Sequence, residues 1–135
     1  MHVPQVLQLP LMCHTCREQL LSLSGNKIGN DGVTALANAC ANGALAQLKM
    51  LDLSGNKIGD PGVSAIASAC ASGALAQCTF LNLGSNKIGD PGLASLADAC
   101  ARGALASLKE VVVDTRHERH PQLVATCKKR GIKIA

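Results

Sequence analysis

The hydrophobic and polar positions of this chain recur in units of constant length, which start at Leu21, Leu51 and Leu81. The segment "LDLSGNKIGDPG" at residues 51–62 is nearly the same as "LSLSGNKIGNDG" at residues 21–32 and "LNLGSNKIGDPG" at residues 81–92. The first and second units are identical at 20 of 30 positions, and the second and third at 17 of 30. A fixed period of this length is typical of one structural unit stacked on copies of itself.

The first half of each unit predicts a short strand followed by a turn. In "LDL", apolar Leu51 and Leu53 alternate with polar Asp52, so we expect the leucines to point inward and the aspartate outward. An asparagine follows, and its amide can donate to and accept from backbone groups that the turn leaves unpaired. The equivalent asparagines are therefore expected to stack into a structural ladder: Asn26, Asn56 and Asn86.

The second half of each unit predicts a helix. Asp60 is the expected N-cap, and Pro61 suits the first helical position. In the first unit, Asn30 takes the cap position. The residues expected to be buried follow the spacing i, i+3, i+4, i+7: Val63, Ile66, Ala67 and Cys70. Gly73 stands where a helix end usually needs a left-handed backbone, so it is expected to end the helix.

Repeated strand–helix units predict an α/β solenoid. Identical strands stacked in sequence must pair in parallel, each joined to the next through a helix. The expected architecture is a right-handed α-β superhelix with a curved parallel sheet and its helices on the convex face. The predicted units are residues 21–50, 51–80 and 81–110, with the start of a fourth up to residue 114. Residues 1–20 are expected to form a degenerate half-repeat or an improvised cap, and residues 115–135 a basic C-terminal cap.

The pattern "LxLSGNKIGDxG" followed by a helix resembles leucine-rich repeats of the ribonuclease-inhibitor type. Such repeats occur in ribonuclease inhibitor, NOD-like receptors and Ran GTPase-activating proteins. The resemblance covers about residues 20–114 and implies a leucine-rich-repeat solenoid. The shared residues are structural, so it implies no catalytic residue. The functions it implies are recognition of a protein partner, regulation of an enzyme as by a GTPase activator, or a place in a larger NOD-like receptor type array.

The composition favours thin, regular core layers and no membrane partner. Hydrophobic residues make up 47% of the chain, but aromatic residues only 1%, with Phe80 as the single ring. A core of Leu, Ile, Val, Ala and Cys fits repeated layers that leave no room for bulky side chains. No apolar run approaches the roughly 18 residues needed to span a bilayer.

The positive net charge of +4 lies near the C-terminus. Residues 1–108 hold six basic and six acidic side chains, whereas residues 109–135 hold seven basic and three acidic ones. A basic tail could contact phosphates, but a chain with no Tyr or Trp offers little base stacking, so we predict no nucleic-acid partner. A row of lysines after the asparagines is interpreted as solvated, with contact to an acidic partner as the alternative: Lys27, Lys57 and Lys87.

The seven cysteines do not indicate a metal or redox site. Three recur at the repeat period and are expected to be small buried side chains: Cys40, Cys70 and Cys100. The odd, regular count favours a reducing, cytoplasmic compartment. Cys13 and Cys16 have zinc half-site spacing, but the other close pair, His117 and His120, lies at the far end of the predicted solenoid. No nucleophile accompanies these histidines, so we predict no catalysis, no metal and no cofactor.

The outward strand positions are the candidate partner-binding site, because they vary between units while the interior repeats. They form three rows: Leu20, Met50, Phe80 and Glu110; Ser22, Asp52, Asn82 and Val112; and Ser24, Ser54, Gly84 and Asp114. The apolar start of the first row could seat a partner side chain. We therefore predict a non-enzymatic module whose concave strand face recognises another protein, as a monomer or as part of a longer repeat array.

Overall fold

Strands and helices alternate along the chain. The structure, a computed structural model, describes residues 20–114 and 120–134. The strands in this part are β1 (Leu20–Ser22), β2 (Met50–Asp52), β3 (Phe80–Asn82), β4 (Glu110–Val112) and β5 (Lys133–Ile134). The helices are α1 (Asn30–Ala41), α2 (Asp60–Ala71), α3 (Asp90–Ala101) and α4 (Pro121–Arg130). Residues 1–19, which hold most of the predicted N-terminal unit and the Cys13–Cys16 pair, lie outside the described residues.

The strands form one parallel sheet in the order β1-β2-β3-β4-β5. Leu51 pairs in register with Leu81, and Leu81 with Val111, so equivalent residues of successive units are neighbours. This confirms the predicted solenoid of stacked strand–helix units. Strands β2 to β4 begin one residue earlier than the sequence pattern indicated, because the residue before each buried leucine or valine already pairs with its neighbour.

The core lies between the sheet and the helices and continues from unit to unit. The predicted inward leucines are fully enclosed, with Leu51 1% and Leu53 0% exposed. All four predicted helix positions of the second unit are buried as well: Val63, Ile66, Ala67 and Cys70. Leucine, isoleucine and valine side chains supply most of this apolar burial, which is the main favourable term in folding.

The helix starts correct one prediction. Asp60 is the first residue of α2 and not its N-cap, which is Gly59. The Asp60 side chain instead caps the next helix: its Oδ1 accepts the backbone N–H of Gly89 at 2.8 Å and of Gly92 at 2.9 Å. These are the N-cap and third residue of α3, whose N–H groups lack partners within the helix. Each cap therefore joins two neighbouring units.

Asn30 makes the same contact one unit earlier. Its Oδ1 accepts the N–H of Gly59 at 2.8 Å and of Gly62 at 3.0 Å. The approach is so close that a Cβ added to Gly62 would lie 2.8 Å from this oxygen. Glycine is required at this position because the neighbouring cap occupies the space of a side chain.

Replacing Asp60 by alanine is expected to lower the free energy of unfolding by about 1–2 kcal/mol, the usual effect of losing an N-cap acceptor. Asp60→Asn should stay close to the natural protein, because Asn30 makes these bonds with an amide oxygen. Urea unfolding followed by circular dichroism measures the difference. Equal stability of the two variants would contradict the inter-unit cap.

The helix ends combine an expected glycine with an unexpected leucine. Gly73 has φ +103°, as predicted for a residue that ends a helix. Two residues later, Leu75 also has a left-handed backbone, with φ +55°, and Leu45 and Leu105 repeat this at φ +58° and +54°. A non-glycine residue in this region costs on the order of 1–3 kcal/mol. All three leucines are buried, so the packing of their side chains offsets that cost.

The C-terminal elements pack on the last full repeat. Strand β5 pairs in parallel with β4. Arg130, at the end of α4, donates to the carbonyl oxygens of Cys100, Ala104 and Leu105 at 3.0, 2.7 and 2.8 Å. Arg130 stands in the basic last turn of its own helix, but it satisfies carbonyls at and just after the end of α3.

Candidate partner-binding face

The first row of outward residues forms an apolar line across the strands. Leu20 pairs in register with Met50, Met50 with Phe80, and Phe80 with Glu110. Leu20 is 60% exposed, and Met50 and Phe80 are half-buried. We call Leu20, Met50 and Phe80 the apolar row. Its members stand one strand apart, so they form one continuous surface.

The second row is polar except for Val112, and two of its side chains are already hydrogen-bonded to neighbouring residues. Its members pair in register from strand to strand: Ser22, Asp52, Asn82 and Val112. Oδ1 of Asp52 accepts the N–H of Ser54 at 2.9 Å and its hydroxyl at 2.7 Å, and Oδ1 of Asn82 accepts the N–H of Gly84 at 3.0 Å. These bonds hold the side chains against the backbone at the strand ends, so the second row is a preorganised surface.

The third row is less accessible than the alternation indicated. Ser24 is exposed, Ser54 and Asp114 are half-buried, and Gly84 is buried. The Asp114 carboxylate accepts the N–H of Ser85 in the preceding unit. Gly84 is therefore covered by its neighbours, and a partner cannot contact it directly. The accessible surface lies mainly on the first two rows.

The asparagines hold the turns of neighbouring units together. Nδ2 of Asn56 has three carbonyl oxygens within hydrogen-bonding distance, those of Leu23, Leu53 and Ser54 at 2.9, 3.0 and 3.1 Å, and shares its two N–H groups among them. Its Oδ1 accepts the N–H groups of Asn26 and Ile28, each at 3.0 Å. Asn86 is also buried and spans two units, whereas Asn26 is exposed and donates to Ser24 within its own turn. Where they span two units, these asparagines stabilise the scaffold that supports the strand face.

The remaining candidates among the described residues are the three lysines and His120. Lys27, Lys57 and Lys87 are exposed. His120 caps α4 by accepting the N–H of Leu123 at Nδ1, while His117 lies outside the described residues. Within residues 20–114 and 120–134, no group of three or more His, Cys, Asp or Glu is placed to hold a metal ion.

The repeated cysteines are buried thiols. Burial, together with a smaller effect of neighbouring cysteines, raises the pKa of the Cys40 thiol to about 11 and that of the Cys70 thiol to about 12. Because the thiolate is the reactive form, these groups are poor nucleophiles. This agrees with their interpretation as small core side chains.

A shallow groove on the helical side was not foreseen. It lies between α2 and α3, has a volume of about 210 Å³, and is lined largely by small residues: Ser64, Ala67, Ser68, Ala71, Ser95, Asp98, Ala99 and Arg102. The Asp98 carboxylate and the Arg102 guanidinium form an ion pair at 3.3 Å beside it. Small side chains on facing helices leave this space, and the repeat pattern gave no separate signal for it.

Comparison with known proteins finds a repeat family that matches parts of this chain. Three segments, residues 19–37, 47–67 and 79–97, match the family description "Leucine Rich repeat". Each segment holds a strand, the turn after it and the first half or more of a helix. The chain therefore carries three segments that match leucine-rich repeats, and its fold is an α/β solenoid of stacked strand–helix units. No curated protein sequence matches the chain.

The solved structures include a similar fold, titled "Leiomodin-1 Actin-Binding Site 2 (ABS2)". The two superpose with a TM-score of 0.69, over 98% of this chain and 75% of the other, at 19% sequence identity. At that identity the likeness shows the fold alone. Of the helices in residues 20–114 and 120–134, none is long and apolar enough to cross a membrane.

Proposed function

We propose that this protein is a non-enzymatic recognition module whose strand face binds a partner protein. The observation that carries the proposal is the apolar row, which is laid across the sheet in strand register beside a polar second row. An exposed apolar strip with a polar margin is typical of a protein-interaction surface. Few aromatic or arginine side chains stand on it, so we expect modest affinity.

The finer assignments belong to the same proposal. The repeats are of the ribonuclease-inhibitor type, which is supported by the long repeat unit with a full helix on its return. The protein acts in a reducing compartment such as the cytoplasm, which is supported by the free thiols of Cys40, Cys70, Cys78, Cys100 and Cys127. It acts as a monomer or within a longer array.

A capture experiment with matched variants tests the surface. Immobilised natural protein and a Met50→Glu/Phe80→Glu double variant are exposed to the same cell lysate, and the captured proteins are identified by mass spectrometry. We expect the double variant to lose the captured partner, because two carboxylates would have to be buried beneath it. Unchanged capture would exclude this surface.

A variant on the other side of the molecule controls for indirect effects. Ser68 is exposed on α2, so Ser68→Glu introduces a carboxylate away from the strand face. It should keep the partner that the double variant loses. Circular dichroism melts of all three proteins establish that they are folded.

A further inference from the structure

We infer that the ligand of the strand face is an amphipathic α-helix that lies across the strands along the apolar row, with basic side chains toward Asp52. This inference rests on the proposed function and deepens it, because it names the form and charge of the bound partner.

The spacing of the apolar row fits a helix better than an extended peptide. Neighbouring strands lie about 4.8 Å apart, so Leu20 and Phe80, two strands apart, are separated by about 9.6 Å along the row. On a helix, residues i, i+3 or i+4, and i+7 share a face and span about 10.5 Å. An extended peptide places same-face residues i, i+2 and i+4 over about 13 Å. The three residues on one face of a helix therefore match the three residues of the apolar row to within about 1 Å. In an extended chain, the third residue would lie about 4 Å beyond the end of the row.

The backbone of the sheet also disfavours an extended partner on this face. Strands β2, β3 and β4 are each paired on both sides, so their N–H and C=O groups are already bonded within the sheet. A peptide that adds a strand gains affinity from unpaired backbone groups at a sheet edge. On the face, recognition must come from side chains, which a helix presents while its own backbone is satisfied.

The charges beside the apolar row set the orientation of the helix. Asp52 faces the same side as Met50, and one of its carboxylate oxygens is bonded to Ser54. Among the described residues, no basic side chain lies within salt-bridge distance of that carboxylate. At the opposite margin, Lys109 immediately precedes β4, and Lys49 precedes β2 with its Nζ donating to Oε1 of Gln77 at 3.0 Å. A helix with basic residues on one flank and acidic residues on the other would match both margins.

Selection from two displayed peptide libraries tests the inference against the intact natural chain. One library presents a three-turn helix with its surface positions randomised, and the other presents linear peptides rich in β-branched residues. We expect binders from the helical library, with apolar residues at i, i+3 or i+4, and i+7 and with Lys or Arg on one flank. Met50→Glu should weaken them more than tenfold.

Charge reversal identifies the basic flank. Asp52→Lys should weaken the selected helices several-fold, and peptides with that flank changed to Glu should recover binding to this variant. Asp98→Lys, on the helical side, is the matched control and should leave the affinity for the selected peptides unchanged.

The other outcomes separate the inference from the function on which it rests. Binders that come only from the linear library, yet are lost with Met50→Glu, would overturn the helix and leave the recognition surface standing. Helical binders that are insensitive to Met50→Glu would overturn both, and so would a failure of both libraries to give any binder.

Discussion

Replacing Asn56 by alanine is expected to lower the free energy of unfolding by roughly 2–5 kcal/mol, since each buried polar group left unpaired costs about 1–3 kcal/mol. The side chain is 6% exposed and satisfies groups in two units. Its most deeply buried backbone partners are the carbonyls of Leu23 and Leu53 and the N–H of Ile28. A methyl group would leave the Leu23 carbonyl and the Ile28 N–H buried without these partners, whereas the Leu53 carbonyl would keep its bond from Nδ2 of Asn86 at 2.9 Å. Urea unfolding monitored by circular dichroism measures the loss.

Asn26 provides a control of the same residue type at the same repeat position. It is exposed, and its Nδ2 donates at 3.2 Å to Ser24 within its own turn. Asn26→Ala should therefore change the free energy of unfolding by no more than about 0.5 kcal/mol, as for an ordinary surface substitution. If the two alanine variants lose equal stability, the asparagine acts within its own turn and not between units.

The fold could be predicted from the sequence because its main signals are local and repeated. The alternation around Leu51 gave the strand and its buried face, and the helical spacing that ends at Cys70 gave the buried side of α2. The constant length of the units then required them to stack, and the register of Leu51 with Leu81 confirms this. Each inference needed only neighbours within one unit and the fact of repetition.

The helix caps could not be predicted from local rules. Asp60 stands where a capping residue is usual, but the N–H groups that it satisfies belong to Gly89 and Gly92, about one full unit further along. N-cap preferences describe a side chain and the helix that follows it directly, so they identified a capping residue and assigned it to the wrong helix. The left-handed leucines such as Leu75 are a similar case, because tertiary packing overrides a local preference against this conformation.

The sequence predicted which side of the sheet the candidate residues face, but not how accessible each of them is to a partner. Alternation places Met50 and Asp52 on the same face, and it places Ser54 there too. It does not show that Gly84 is buried or that Ser54 is bonded to the Asp52 carboxylate. Accessibility depends on how the following unit packs, which is a property of the stack. Which of the outward residues contact a partner remains a prediction that the Met50→Glu/Phe80→Glu variant tests.

Raising the pH from 8 to 10 is expected to destabilise the protein through its buried thiols. Burial raises the pKa of Cys40 to about 11 and that of Cys70 to about 12, from an ordinary value of 9.0. Because the folded-state pKa is raised, this contribution is fully present below pH 9 and is lost as the pH rises toward the folded-state values. Above pH 9 the unfolded chain releases the protons while the folded chain keeps them.

Above pH 9 the expected loss approaches about 1.4 kcal/mol per pH unit for each such thiol, so these two cysteines together lose about 2–3 kcal/mol between pH 8 and pH 10. Burial also raises the pKa of Cys78, Cys100 and Cys127, which adds in the same direction. Urea midpoints measured at intervals between pH 7 and pH 10.5 give the slope. The chain has no tyrosine, so lysines are the main other groups that titrate at high pH.

A Cys40→Ala/Cys70→Ala variant separates the thiols from the lysines. Its stability at pH 7 should be somewhat lower, because two sulfur atoms leave the core. Its slope between pH 8 and pH 10 should be clearly shallower, because two of the proton-releasing groups are gone while every lysine remains. An unchanged slope would show that these thiols do not ionise more readily in the unfolded chain, and that solvent or another polar partner reaches them in the folded core. The same comparison therefore tests whether the interior of the solenoid between α1 and α2 is as apolar as its leucine-rich lining implies.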